Sequence, residues 1–157
     1  MTLEETTKET WKERIVDTAG NITYSLMTGI ALDAAANQNI GEIAASRTQA
    51  TIINAVTGAA YSWWRDYVYR KLGVTEYHGW EAKVIADVIA FPPQLAIYAS
   101  SAAVSTWLFE GEVNLEKVRD GTIYLAAISP ALAPSLGFYL DKFRKTFGLK
   151  SASEKSV

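Results

Sequence analysis

The sequence predicts an all-α polytopic membrane protein, four transmembrane helices arranged as two parallel-repeat helical hairpins, and three observations predict it. Charge is segregated: the 15 Lys plus Arg and the 17 Asp plus Glu all lie outside four windows, residues 18–32, 48–64, 88–109 and 121–140. At one charge in five, a single uncharged run of about 20 residues has a chance of roughly 1%. Basic residues are also asymmetric. Lys8, Lys12, Arg14, Arg65, Arg70, Lys71, Lys83, Lys142, Arg144, Lys145, Lys150 and Lys155 fall on one side of the windows, against Arg47, Lys117 and Arg119 on the other. Tryptophan gives the third observation, because its amphipathic ring favours the membrane boundary. Trp11, Trp63, Trp64 and Trp80 sit at one boundary and Trp107 at the other.

A helix crossing about 30 Å of hydrocarbon needs roughly 20 residues. The first window, residues 18–32, is short and borrows Ile15 and Val16 from beyond Asp17. The second, residues 48–64, borrows the apolar residues 43–45 ahead of Arg47, with Asn39 in N-cap position. The third and fourth, 22 and 20 residues long, are sufficient alone. Pro92 and Pro93 interrupt the third; Pro130 and Pro134 interrupt the fourth, for which Asn114 is the expected N-cap. Ala, Leu and Met are abundant and period-two alternation is absent, which disfavours strands. A water-soluble bundle is disfavoured because 22 uncharged residues leave no polar face.

The excess of Lys and Arg on one side places both termini and the middle loop in the cytoplasm, at a cell inner membrane crossed several times. The N-terminus is acidic and polar, unlike a secretory signal. The chain reads as one transmembrane domain over residues 1–157, with hairpin one at about 11–73, hairpin two at about 80–148 and a polar tail at 149–157. The repeat rests on two matches. The stretch from Trp11 to Asp17 parallels that from Trp80 to Asp87, and the stretch from Asp66 to Gly73 parallels that from Asp141 to Gly148. Both hairpins then begin and end inside, as parallel repeats about an axis along the membrane normal.

Composition excludes several chemistries. With no cysteine and one histidine, disulfides, zinc ribbons, iron–sulfur sites, thiol catalysis and a Ser/His triad are not expected, nor is any metal or cofactor. A net charge of −2 without a basic stripe disfavours nucleic acid. His78 reads as a loop residue.

Ionisable groups in a bilayer cost about 2.5–3.5 kcal/mol at a helix centre, so those near it need a reason. Asp17 and Asp87 lie about one turn inside the inner boundary. Two readings are open: they face each other around the repeat axis to hold a substrate ammonium or a proton, or each pairs with a neighbouring Arg or Lys or caps a helix. Asp33 reads as a solvated boundary residue. Pro92 and Pro93 donate no hydrogen bond and free the carbonyls of Val88 and Ile89; Pro130 and Pro134 free those of Ala126 and Pro130. Such backbone either lines a site or merely kinks the helix. Gln94 follows with an amide that donates and accepts. Asn21, Tyr24, Asn54 and Thr57 are intramembrane polar groups that bind substrate or bond another helix. The small pairs Ser25 with Gly29, Gly58 with Ser62 and Ala133 with Gly137 permit close helix contact.

These residues are similar to those of the small bacterial L-alanine exporters of the AlaE type. The stretch from Ser46 and Arg47 through Asn54 and Tyr61 to Arg65 and Asp66 resembles that family's second span at the same spacing. Asp17 and Thr18 with Tyr24, Gly79 and Trp80 with Ala86 and Asp87, Gln94 with Tyr98, and Gly137 through Leu140 and Asp141 to Arg144 also match. The resemblance covers about residues 14–147. The chain departs from the pattern in the Pro92–Pro93 doublet and in one extra residue after Trp80.

The resemblance implies a non-enzymatic secondary transporter of the inner membrane that exports L-alanine or a similar small neutral amino acid, coupled to the proton gradient. On that footing Asp17 and Asp87 are expected to recognise proton or ammonium, with Asn21 and Tyr24 nearby, while Asn54 and Gln94 fix the head group. Pro92 and Pro93 supply carbonyls and a hinge, and Arg65, Asp66, Arg70, Asp141 and Arg144 form ion pairs that close a cytoplasmic gate. The expected partners are the amino acid, the bilayer and a second protomer, since four helices enclose only a narrow cavity. The rival expectation is a non-transporting scaffold or a small oligomeric channel.

Overall fold

The computed structural model describes residues 3–35, 40–113 and 115–156. They form α1 (Leu3–Ala35), α2 (Ile40–Leu72), α3 (Trp80–Ala90), α4 (Pro92–Glu110) and α5 (Leu115–Thr146), followed by a 3₁₀ turn at Glu154–Ser156. No strand occurs among the described residues, and the all-α class stands. The proposed N-caps Asn39 and Asn114 lie outside the described residues.

The third window is two helices. Pro92 and Pro93 occupy the first positions of α4, where a missing N–H is tolerated, and Phe91 forms the joint. The joint tightens to three-residue turns: Phe91 N–H donates to Val88 O (3.3 Å) and Gln94 N–H to Phe91 O (2.8 Å). Ala90 O instead accepts from the Trp64 indole at 3.2 Å. In α5 the prolines stay within one helix, and the Ala126 carbonyl freed by Pro130 accepts from the Ser129 hydroxyl at 2.8 Å. At Val88 and Ala126, nearby donors thus re-satisfy carbonyls that the prolines release.

Helices α1 and α2 pack antiparallel: Asn21 meets Gly58, and farther along Arg47 meets Ser25 and Gly29. Helices α3 and α4 run antiparallel to α5, with Asp87 against Gly137 and Tyr98 against Gly121. Around the bundle, α1 touches α2 and α5, while α3 and α4 also touch α2 and α5. Among the described residues the backbones of α2 and α5 stay apart, so these two helices are diagonal. Only long side chains close that diagonal.

Both α2 and α5 end alike. Gly73 (φ 66°) and Gly148 (φ 71°) adopt the left-handed conformation that glycine takes without strain. The next N–H reaches back five residues in each case, Val74 to Tyr69 O and Leu149 to Arg144 O, both at 3.0 Å. That is a Schellman ending, and the apolar residue after each glycine is buried.

The bundle is apolar outside and charged inside. Met27, Ile30, Ile52, Val56, Ile89, Val104, Ile123 and Phe138 are exposed, while Asp17, Asn21, Arg65, Asp66, Asp87 and Arg144 are buried. Two stretches are long and apolar enough to cross a membrane, Trp80–Ser100 and Val118–Thr146. Helices α1 and α2 have 33 residues each, roughly 50 Å at about 1.5 Å per residue, but dilute their apolar centres with charged ends.

Candidate functional site: two buried arginines across the bundle axis

Arg65 on α2 and Arg144 on α5 are 1% and 2% exposed. An isolated buried guanidinium is costly, and each is compensated by two carboxylates from the opposite hairpin. Arg65 donates Nε–H to Asp87 Oδ1 (2.7 Å) and a two-pronged pair to Asp141 (2.8 and 3.1 Å). Arg144 donates two bonds to Asp17 (2.7 and 2.9 Å) and two to Asp66 (2.6 and 3.0 Å). The planar fork of arginine suits both arrangements. The ties are reciprocal: α2 grips the second hairpin through Arg65, and α5 grips the first through Arg144.

The two ties sit at different depths. Arg65 precedes Gly73 by eight residues, whereas Arg144 precedes Gly148 by four, so Arg65 lies about one turn deeper in the bundle. Tyr69 occupies on α2 the place of Arg144 on α5. Its ring lies 4.8 Å from the Arg65 guanidinium carbon, and its hydroxyl bonds Asp87 Oδ1 at 3.0 Å. Gly137 makes room: a Cβ there would fall on the Asp87 carboxylate.

The polypeptide after α5 folds back beneath both ties. Ala152 N–H donates to Asp141 Oδ1 (3.1 Å), and Lys155 Nζ reaches Asp66 (2.9 Å) and Glu13 (3.1 Å). Ser151, Ala152 and Ser153 are buried. Glu154 staples this segment by accepting from the Ser151 backbone N–H and hydroxyl, both at 2.7 Å, and by pairing with Lys145 at 3.1 Å. The Ser151 bonds, the backbone one first, hold its carboxyl down at about 2.

Of the residues singled out in the sequence, Asp17, Asp66, Asp87, Asp141, Arg65 and Arg144 converge here. Asp17 and Asp87 each hold an arginine rather than facing one another. Asn21 lies one turn after Asp17 on α1 and donates toward Asp17 O (2.9 Å), Gly58 O (3.2 Å) and Ser62 Oγ (3.3 Å), tying α1 to α2. Tyr24 reaches α5 through Ser135 and Leu132 O. Asn54 donates to Ala50 O on its own helix (2.8 Å), and Thr57 likewise bonds Ile53 O. Pro92 is exposed, Pro93 and Gln94 are half-buried, and Arg70 is exposed and outside both ties. His78 lies in the 73–79 loop, its Nδ1 accepting the Thr75 N–H at 3.1 Å. The Asp33 side chain lies outside what is described. Sequence reasoning missed Tyr69, Glu13, Ala152 and Lys155. Tyr69 carried a usable signal, four residues after Arg65 on the same helical face.

Two buried Arg–carboxylate ties inside an apolar-surfaced bundle mark a membrane protein with an ionisable interior. The family described as L-alanine exporter, AlaE, matches residues 6–150. The chain belongs to the AlaE L-alanine exporter family. No curated protein and no solved structure matches it. As an AlaE member it is a membrane protein of transport, with a small amino acid as cargo, and both ties fall inside the matched region. The docking residues Ser151 to Lys155 fall just beyond it. Among the described residues no cluster of His, Cys, Asp or Glu suits a metal ion.

Proposed function

We propose that the chain exports L-alanine or a similar small neutral amino acid across the inner membrane, as a proton-coupled secondary transporter working by alternating access. The observation that carries this reading is the reciprocal pair of ties at the inner end of the bundle. Each joins one hairpin to the other, so breaking both separates the hairpins there and opens a path from the cytoplasm. Arg65, Asp66, Asp141 and Arg144 are the gate, with Arg70 at its exposed margin, and residues about 11–73 and 80–148 are the moving halves. All four arms cross the bilayer, both termini are cytoplasmic, and the exposed apolar flank accommodates a second protomer.

Charge balance supports the coupling step. Arg65 faces two carboxylates, Asp87 and Asp141, leaving one negative charge in excess within the bundle, whereas Arg144 and Lys155 meet Asp17, Asp66 and Glu13, so that the excess there falls on the partly exposed Glu13. A proton on Asp87 neutralises the deeper tie and loosens it. Asp17 and Asp87, once released, receive the substrate ammonium. Asn21, Tyr24, Asn54 and Gln94 supply neutral contacts on the outward side, and the Pro92–Pro93 joint supplies the hinge.

Proteoliposomes loaded with L-alanine test this. Efflux that rises with an imposed proton gradient is expected, and D87N is expected to abolish the dependence on the gradient. Flux that ignores the gradient would point to a channel, and no flux of any small amino acid would overturn the transporter reading.

A further inference from the structure

We propose that the hydroxyl of Tyr61 is a substrate contact, which meets the charged head group of the small neutral amino acid at the centre of the bundle. This rests on the exporter reading and adds to it a specific ligand atom that the two ties do not contain.

Tyr61 lies on α2 one turn outward of Arg65, on the same helical face. Its side chain is 3% exposed, packed among Phe91, Ala133, Leu136 and Leu140. The hydroxyl is buried, yet has no hydrogen-bond partner among the described residues. Neighbouring polar groups differ. Asn21 reaches three acceptors, the Tyr24 hydroxyl meets Ser135, the Trp64 indole meets Ala90 O, and the Tyr69 hydroxyl is held by Arg65 and Asp87. A buried hydroxyl left without a partner is a net cost to folding, and phenylalanine would fill the same volume without that cost. Packing therefore accounts for the ring and not for the oxygen.

The surroundings suit a small zwitterion. A phenol donates one hydrogen bond and accepts others, so it can serve a carboxylate or an ammonium, and donation to a charged acceptor is the stronger bond. Ala90 and Ala133, two small residues near this level, are fully buried. Phe91 packs against Tyr61 and is also the joint between α3 and α4. Movement at that joint lifts Phe91 away and gives the hydroxyl its partner.

Tyr61→Phe tests the assignment. The variant should fold with an unliganded melting temperature in detergent equal to or above that of the wild type. Its KM for L-alanine efflux should rise about tenfold or more, the scale of a lost bond to a charged group, and L-alanine should raise its melting temperature less than it raises that of the wild type. Wild-type efflux matched by Y61F, with the same thermal shift, overturns the contact alone. Reduced efflux with a lowered unliganded melting temperature and an unreduced thermal shift also overturns it, because the oxygen would then be structural. Wild-type vesicles that move no L-alanine overturn the exporter reading, and this contact with it.

Discussion

Arg144 and Arg119 show why burial decides what an ion pair is worth. Arg144 is buried with two carboxylates, so Arg144→Gln strands Asp17 in the interior, leaves Asp66 to Lys155 alone, and should cost about 3–5 kcal/mol of stability. Arg119 is 62% exposed beside Glu116 and Asp120, and Arg119→Gln should cost under about 1 kcal/mol. Thermal unfolding in detergent compares them directly. Gly137→Ala is a subtler probe. Alanine gains about 1 kcal/mol of helix propensity, but its Cβ falls on the Asp87 carboxylate, and overpacking typically costs about 1–3 kcal/mol. Overpacking should win, so that both stability and efflux fall. At this scale the carboxylates and arginines were legible in the sequence because an ionisable residue near a span is conspicuous. Ion pairing among them was expected too; which carboxylate meets which arginine was not legible, since Arg65 and Arg144 lie at different distances from the glycines that end their helices and no local spacing announces a bond across the diagonal.

Elements were legible where charge was sparse and obscure where backbone detail ruled. The four windows place the helical arms, yet the third arm is α3 and α4 joined at Phe91, because two prolines start a new helix more readily than they bend an old one. Replacing Pro92 and Pro93 together by alanine should fuse them and return the Gln94 N–H to Ala90 O. Stability should rise by less than the roughly 3 kcal/mol that an interior proline costs, since these prolines occupy first-turn positions, while efflux should slow. A rise in both would show that the joint is not a hinge. The segment after α5 reads as a polar tail, yet it docks, because small Ser and Ala residues fit against the ties and Lys155 finds Asp66. Its staple is acid-sensitive. Glu154 ordinarily titrates at 4.5 and is held at about 2 here, so its contribution is complete above 4.5 and is lost as pH falls through about 2. A spin label at Ser156→Cys, in a chain otherwise free of cysteine, should become mobile only in that acid range; mobility already present at pH 7 would contradict the docking.

As a whole the molecule departs from the usual arrangement of a globular protein, with many large apolar side chains outward and, among the described residues, arginines as the largest fully buried side chains. Segregation of charge made the outward face readable from composition and position alone. What lay beyond the sequence was the reciprocity of the ties, which depends on α2 and α5 standing on a diagonal that only long side chains cross. In the proposed mechanism that arrangement is a two-sided latch, and alternating access requires the latch to part. Distances between spin labels at Lys71→Cys and Lys142→Cys, exposed positions near the C-terminal ends of α2 and α5, test this most directly. The account predicts two separations in the reconstituted protein, with populations that shift on adding L-alanine and on acidification. A single separation, unchanged by either, would contradict it.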